Sequence, residues 1–254
     1  MSEFYNPRRT RNLYDPESKE PFKLSRSKVD LSLECPRCFY IDRRRGVGRP
    51  SCPGFSLNSA VDNLLKKEFD IKRAEGKPHL LMTTYGLKAV PFQHPKMEEW
   101  RDTFKGVQYL HPETNFLLFG AVDDIWIDEN DNLLIVDYKA TSTEKEITLD
   151  EEWKDCYKRQ MEFYQYLARH NEDLGKYKVS DTGYFVYCNG QKDREAFDGR
   201  LDFDIKVIPY KGNGDWIEDA VLNAHKYLIS DIIPEPHPDC DFCRYREEVE
   251  KELT

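Results

Sequence analysis

The chain has 254 residues, a net charge of −9 and 39% hydrophobic residues. It can therefore bury the core of one large α/β domain or two small ones and does not read as a disordered chain. No run approaches 18 apolar residues, and the polar opening "MSEFYNPRRTRNLYDPESKE" has no secretory h-region, so the expectation is a cytoplasmic protein.

Residues 1–23 read as a flexible N-terminal arm, with one domain expected over 24–254. "LSRSKVDLSLECPRCFYIDRR" has Ser25 or Ser27 ahead of an apolar run and predicts a short helix leading into a first cysteine pair, Cys35 and Cys38. The charge is uneven: residues 1–50 hold 12 Lys+Arg against 7 Asp+Glu, or +5, which leaves −14 for the remainder. Phosphate binding needs a local basic patch rather than a basic total. "DRRRGVGR", with Arg43, Arg44, Arg45 and Arg49, reads either as such a nucleic-acid-binding patch or as a solvated Arg-rich turn.

"LNSAVDNLLKKEFDIKRAEG" places Leu57, Val61, Leu64, Leu65 and Phe69 at helical spacing, and Gly76 ends the helix. Short elements are expected over 77–115, then strands at 116–127 and 132–140. A helix over 151–170 carries Trp153, Tyr157, Met161, Tyr164 and Leu167 along one stripe. "TGYFVYCN" and "RLDFDIKVIPY" predict two more strands, and "WIEDAVLNAHKYLIS" a helix. A second cysteine pair, Cys240 and Cys243, lies in the charged tail. This order gives an α/β class with a mixed central sheet flanked by helices.

Carboxylates interrupt the apolar strands. The turn-forming "DENDN" lies between them. A symmetric hairpin centred on Asn130 sets Asp123 opposite Asp137, with Cβ atoms roughly 5 Å apart. A two-residue turn would instead pair Asp123 with Tyr138. Two opposed, buried carboxylates are costly, and a hard cation with oxygen ligands removes the cost. Period-2 alternation adds Lys139 to the face of Asp137. In the following helix Gln160 and Tyr164 share a face, and an inward Gln needs a partner.

G-x-x-D (Gly120 to Asp123), D-Y-K (Asp137 to Lys139) and Q-x-x-x-Y (Gln160 to Tyr164), in that order, resemble the PD-(D/E)XK nuclease superfamily. The likeness is greatest to its RecB-type branch, which includes CRISPR-associated exonucleases. The resemblance implies a restriction-endonuclease-like core and a deoxyribonuclease, exo or endo, acting in DNA repair, recombination or defence. Its partner would be DNA, single-stranded or with free ends, together with a helicase, repair or CRISPR partner. It implies that Asp123, Asp137 and the Tyr138 carbonyl ligate Mg²⁺ or Mn²⁺. Lys139 would activate water or stabilise developing charge, and Gln160 and Tyr164 would orient the site. The family's upstream helix carries a His or acidic ligand. Here spacing from Gly54 favours Asn58, and the "AVDNLLK" context favours Asp62, which is the better ligand. Glu68 reads as a solvated residue. The alternative is a non-catalytic nucleic-acid-binding or partner-docking protein on the same scaffold.

Seven cysteines in a cytosolic chain point to metal or buried thiols rather than disulfides. Two CxxC pairs, Cys35/Cys38 and Cys240/Cys243, can complete a tetrahedral site and clip together segments distant in sequence. The RecB-type resemblance implies a 4Fe–4S cluster, whereas the paired spacing suits Zn²⁺. The family's pattern of one N-terminal and three C-terminal cysteines is broken, because Val249 occupies the last position. Cys52 is an alternative ligand. Cys156 and Cys188 read as buried thiols, and the six histidines show no ligand spacing.

Overall fold

The computed structural model describes residues 8–50 and 54–253. In chain order come β1 (Phe22–Ser25), α1 (Arg26–Glu34), α2 (Pro36–Arg45), α3 (Ser56–Glu75), α4 (Leu80–Thr84), β2 (Ala89–Pro91), α5 (Met97–Arg101), β3 (Val107–His111) and β4 (Phe116–Gly120). Then follow β5 (Asp124–Asp128), β6 (Asn132–Thr141), α6 (Asp155–His170), β7 (Lys178–Val179), β8 (Thr182–Gly190), β9 (Phe203–Lys211), α7 (Asp215–Ile229) and α8 (Asp241–Leu253). One domain was expected over 24–254. The chain divides into two compact units of discontinuous segments, Met1–Pro53 with Leu110–Phe119 and Asp215–Thr254, and Gly54–Tyr109 with Gly120–Gly214.

In the first unit α1 and α2 pack on α7, whose inward residues Ile217, Ala220, Val221, Ala224 and Leu228 follow helical periodicity. The short helix expected to lead into the first cysteine pair is α1. Cys35, with extended backbone (φ −163°), ends it and N-caps α2, with Pro36 at the first helical position. Residues 9–23, expected as part of a flexible arm, are tied into this unit. Arg9 N–H donates to Gly46 O at 2.7 Å and Tyr14 N–H to Arg43 O at 2.8 Å. The Tyr14 ring meets Phe22, Phe116 and His225 edge-on, and β1 runs parallel to β4. Residues 1–7 of that arm lie outside the described residues.

The second unit is built on a mixed sheet in the order β2-β5-β6-β8-β9, with β7 beside β6. β6 and β8 are parallel, as a helical crossover through α6 requires, and the other neighbours on that path are antiparallel. α3 packs on β6 and β2, and α6 on β6 and β7. Leu65 and Phe69 of α3 join Trp126, Leu134, Val136, Tyr138, Val186 and Val207 in one core cluster. Leu57 and Leu64, expected on the same stripe, are exposed. The buried line of α3 instead runs through Leu65, Phe69 and Arg73, a strict i, i+4 row. Gly76 closes the helix at φ 62°, the left-handed cap that suits glycine.

Candidate active site and cysteine centre

The turn is where the hairpin register is set. Asp128 Oδ1 accepts the N–H groups of Asn130 and Asn132 at 2.8 Å each, and Asp131 takes a positive φ of 59°, which Asp tolerates. Asp124 then pairs with Val136, Ile125 with Ile135 and Trp126 with Leu134. This is the symmetric register centred on Asn130. The ladder ends at Asp124, so the expected pairing of Asp123 with Asp137 falls one residue beyond it.

The predicted strand over 116–127 is two strands, separated at Ala121–Asp123. Local contacts account for the break. A Cβ on Gly120 would lie 2.6 Å from the Tyr164 ring, so this glycine allows α6 its close approach. Val122 N–H donates to Trp100 O at 3.1 Å, and the Arg101 Nε–H donates to Asp123 O at 3.0 Å. Freed from the ladder, Asp123 turns its carboxylate back to accept the Tyr138 N–H at 2.8 Å.

On β6, alternation sends Leu134, Val136 and Tyr138 into the α3-side core. Asp137 and Lys139 therefore face the α6 side. Asp137 is fully buried and ion-paired with Lys139. Lys139 Nζ also donates to Gln160 Oε1 at 3.3 Å and sits 4.5 Å from the Tyr157 ring centroid, a cation–π contact. Gln160 Nε2 in turn donates to the Tyr164 hydroxyl at 3.0 Å. Burial works against the charge on Lys139, but Asp137 and Asp123 together outweigh it and hold its pKa above the ordinary lysine value.

A cavity of about 280 Å³ opens beside this row. Asn58, Asp62, Asp123, Tyr138, Lys139 and Tyr157 are among its lining residues. Asp137, Gln160 and Tyr164 are not part of that lining, and they reach the cavity through Lys139. Both residues weighed on the upstream helix face the cavity, but they differ in role. Asn58 Nδ2 donates to Ala140 O at 3.2 Å, whereas Asp62 keeps its carboxylate near Asp123. Lys66, one turn further along α3, bridges the two: its Nζ is 2.8 Å from Asp62 and 3.1 Å from Asp123. Burial and then the charge of Asp123 raise the pKa of the Asp62 carboxyl. Lys66 also has a raised pKa, because Asp123 and Asp62 outweigh the effect of its own burial. Clustered carboxylate oxygens that repel one another and already draw an ammonium group between them fit a hard divalent cation. Asp62 and Asp123 could supply oxygens to it, whereas Asp137 stands behind Lys139. The Tyr138 hydroxyl points away, donating to Asp124 at 2.8 Å.

Asp124, next in sequence to Asp123, belongs to a different system. It is fully buried and ion-paired with Arg73 and with Arg101 at 3.3 Å, and it accepts the Ile125 N–H at 2.8 Å. Arg101 also meets Asp70 at 2.8 Å. Adjacent aspartates thus split: Asp123 faces the cavity and Asp124 anchors β5 to α3 and α5.

In the first unit the four expected cysteines converge, with all sulfurs within 4.8 Å of one another. Cys35 caps α2 and Cys38 lies in its first turn; Cys240 precedes α8 and Cys243 lies in its first turn. Helix N-termini stabilise thiolates, and Cys35 Sγ accepts the Cys38 N–H at 3.5 Å. Burial works against the Cys240 thiolate, yet the Cys243 N–H and neighbouring thiols bring its pKa down to about 7, while burial and the neighbouring thiols push those of Cys38 and Cys243 up. Among the described residues, these four form the one group of His, Cys, Asp or Glu side chains close enough to hold an ion unaided. Cys52 lies outside the described residues. Cys188 is buried, as expected, whereas Cys156 is only half-buried.

The four arginines read as a nucleic-acid-binding patch or a solvated turn differ in exposure and partners. Arg43 is buried against Asp42 at 3.0 Å, and Arg44 pairs with Asp231 at 3.1 Å. Arg49 pairs with Glu34 at 2.6 Å, and Arg45 alone of the four is exposed. Asp42 accounts for part of this. It is a fully buried carboxylate that gathers Arg43, Arg9 at 2.9 Å and Lys28 at 2.7 Å, since a buried charge must be paired. Two of the histidines serve structure: His79 pairs with Glu68 at 2.7 Å and His111 with Glu218 at 2.7 Å.

The family model described as "PD-(D/E)XK nuclease superfamily" matches residues 23–247. None of the curated proteins matches the chain.

Proposed function

We propose that this chain, which belongs to the PD-(D/E)XK nuclease superfamily, is a divalent-metal-dependent nuclease that hydrolyses DNA phosphodiester bonds. The observation that supports it most is the meeting of Asp62, Asp123 and Lys139 at one cavity, with Lys139 held from behind by Asp137 and Gln160. Mg²⁺ or Mn²⁺, when bound, polarises a phosphoryl oxygen and lowers the pKa of its water. Asp62 and Asp123 supply carboxylate oxygens toward it. Asp137 keeps Lys139 charged, and Gln160, itself steadied by Tyr164, fixes the ammonium near the cavity. That positive charge lies where negative charge builds up on the phosphoryl group. We read the activity as cytosolic and as serving DNA repair, recombination or defence, with a helicase or CRISPR partner. This part rests on the RecB-type order of motifs alone.

The test is cleavage of labelled single- and double-stranded DNA with Mg²⁺ or Mn²⁺. Asp137→Ala and Lys139→Ala should each lower it by about 10²-fold or more, with circular dichroism showing that both variants still fold although the broken buried pair lowers their melting. Cleavage undiminished in both variants would refute the assignment. One observation favours a second reading, a non-catalytic nucleic-acid-binding protein on the same scaffold: Lys66 already neutralises Asp62 and Asp123. Binding of DNA without cleavage at any divalent ion concentration would select it.

A further inference from the structure

The four cysteine sulfurs are spaced for one ion. Four thiolates at about 2.3 Å from a common Zn²⁺ stand roughly 3.8 Å apart, at the corners of a tetrahedron. Cys35 and Cys243 Sγ are 3.8 Å apart, Cys38 and Cys240 3.6 Å, and Cys38 and Cys243 3.7 Å. No pair exceeds 4.8 Å. A four-iron cluster seats each thiolate on its own iron, outside a core whose irons are already separated. Its sulfurs must therefore stand well beyond the edge of a single-ion tetrahedron. The quartet does not fit the 4Fe–4S cluster that the RecB-type resemblance implies. The sequence agrees, since the ligands come as two CxxC pairs with Val249 where a further cysteine would stand.

A divalent ion with four thiolates carries two excess negative charges. Arg49 addresses them. Its Nη2 donates to Cys240 Sγ at 3.5 Å, Glu34 holds its other arm at 2.6 Å, and its guanidinium lies 4.7 Å from the Phe242 ring centroid. The side chain is thus fixed from three sides against the centre. Bonds of this kind orient ligands and tune affinity.

We infer that Cys35, Cys38, Cys240 and Cys243 form a mononuclear tetrathiolate site for a single zinc ion, and that Arg49 is its positioning residue rather than a phosphate contact. The inference is independent of the nuclease reading, because metal content and spectra are measured without DNA.

The intact chain, purified without oxygen, is assayed for metals and acid-labile sulfide. The expected result is a colourless protein with one zinc per chain and no sulfide. Replacement by Co²⁺ should give the visible d–d bands of a tetrahedral, all-sulfur site. Iron and sulfide at about four each per chain, with broad brown absorption, would overturn it. Arg49→Gln keeps every sulfur ligand. It should release zinc to a chromogenic chelator more readily, with affinity about 10- to 100-fold lower and unchanged circular dichroism. Unaltered zinc retention in that variant would remove Arg49 from the site.

Discussion

Around the four cysteines every sulfur lies within 4.8 Å of the other three, and Cys35, Cys240 and Cys243 are buried. Asp62 and Asp123 instead stand at an open cavity with 30% and 22% of their side chains exposed. The first set is soft, closed and complete, as in structural sites. The second is hard, open and short of ligands, as in sites that must admit a substrate. The second also has a lysine at hand where the first has an arginine capping a sulfur. Under the proposed function, the two groups of candidate ligands serve opposite ends, one for holding segments together and one for chemistry.

The sharpest way to break this contrast is to remove a sulfur. Cys243→Ser should cost more than about 4 kcal/mol, the range reached on losing a metal site, because the centre joins residues more than 200 positions apart in sequence. Denaturant melts of the parent and variant measure it. A change under 1 kcal/mol would mean that the centre is no clip. The next test separates neighbouring aspartates. Asp124→Ala strands Arg73 and Arg101, and breaking a buried pair costs about 3–5 kcal/mol. Asp123→Ala should barely alter the melt and should remove divalent binding, read by calorimetry. Equal melting losses for both would erase the division of labour drawn between them.

A third effect falls on the rate. Lys139→Ala should lower the rate of DNA cleavage by about 10²–10³-fold, as for loss of one donor facing developing charge, and leave zinc content untouched. A fall in zinc alongside activity would show that the two sites are not independent.

These distinctions were unevenly legible in the sequence. The turn from Asp128 to Asn132 narrowed the register to two choices because turn chemistry is local, and the cysteine quartet could be picked out because CxxC spacing is specific. The split between β4 and β5 was hidden. The run 116–127 is apolar throughout, and its break depends on Trp100, Arg101 and the Tyr164 ring, all distant in sequence. The burial of Arg43 was hidden for the same reason, since "DRRRGVGR" does not reveal that Asp42 lies in the interior. Asp124 was overlooked because strand alternation assigns faces only once the first strand residue is known.

Lys66 was overlooked because, four residues after Asp62, it looks like any surface i, i+4 pair. Its position gives the smallest expected effect and the one closest to the contrast between the sites. The ammonium group spans the carboxylates that a divalent ion needs, so ion entry must displace it. Lys66→Met keeps the aliphatic stem and removes the competitor, leaving Asp62 and Asp123 mutually repelling. Affinity for Mn²⁺, followed by calorimetry, should rise about tenfold, or about 1.4 kcal/mol. If Lys66 instead helps to hold a phosphate, the same variant should bind Mn²⁺ more tightly and DNA more weakly, and titrations with each separate the two roles. A drop in Mn²⁺ affinity would contradict the displacement argument, because a lysine that merely competes cannot assist the ion it excludes.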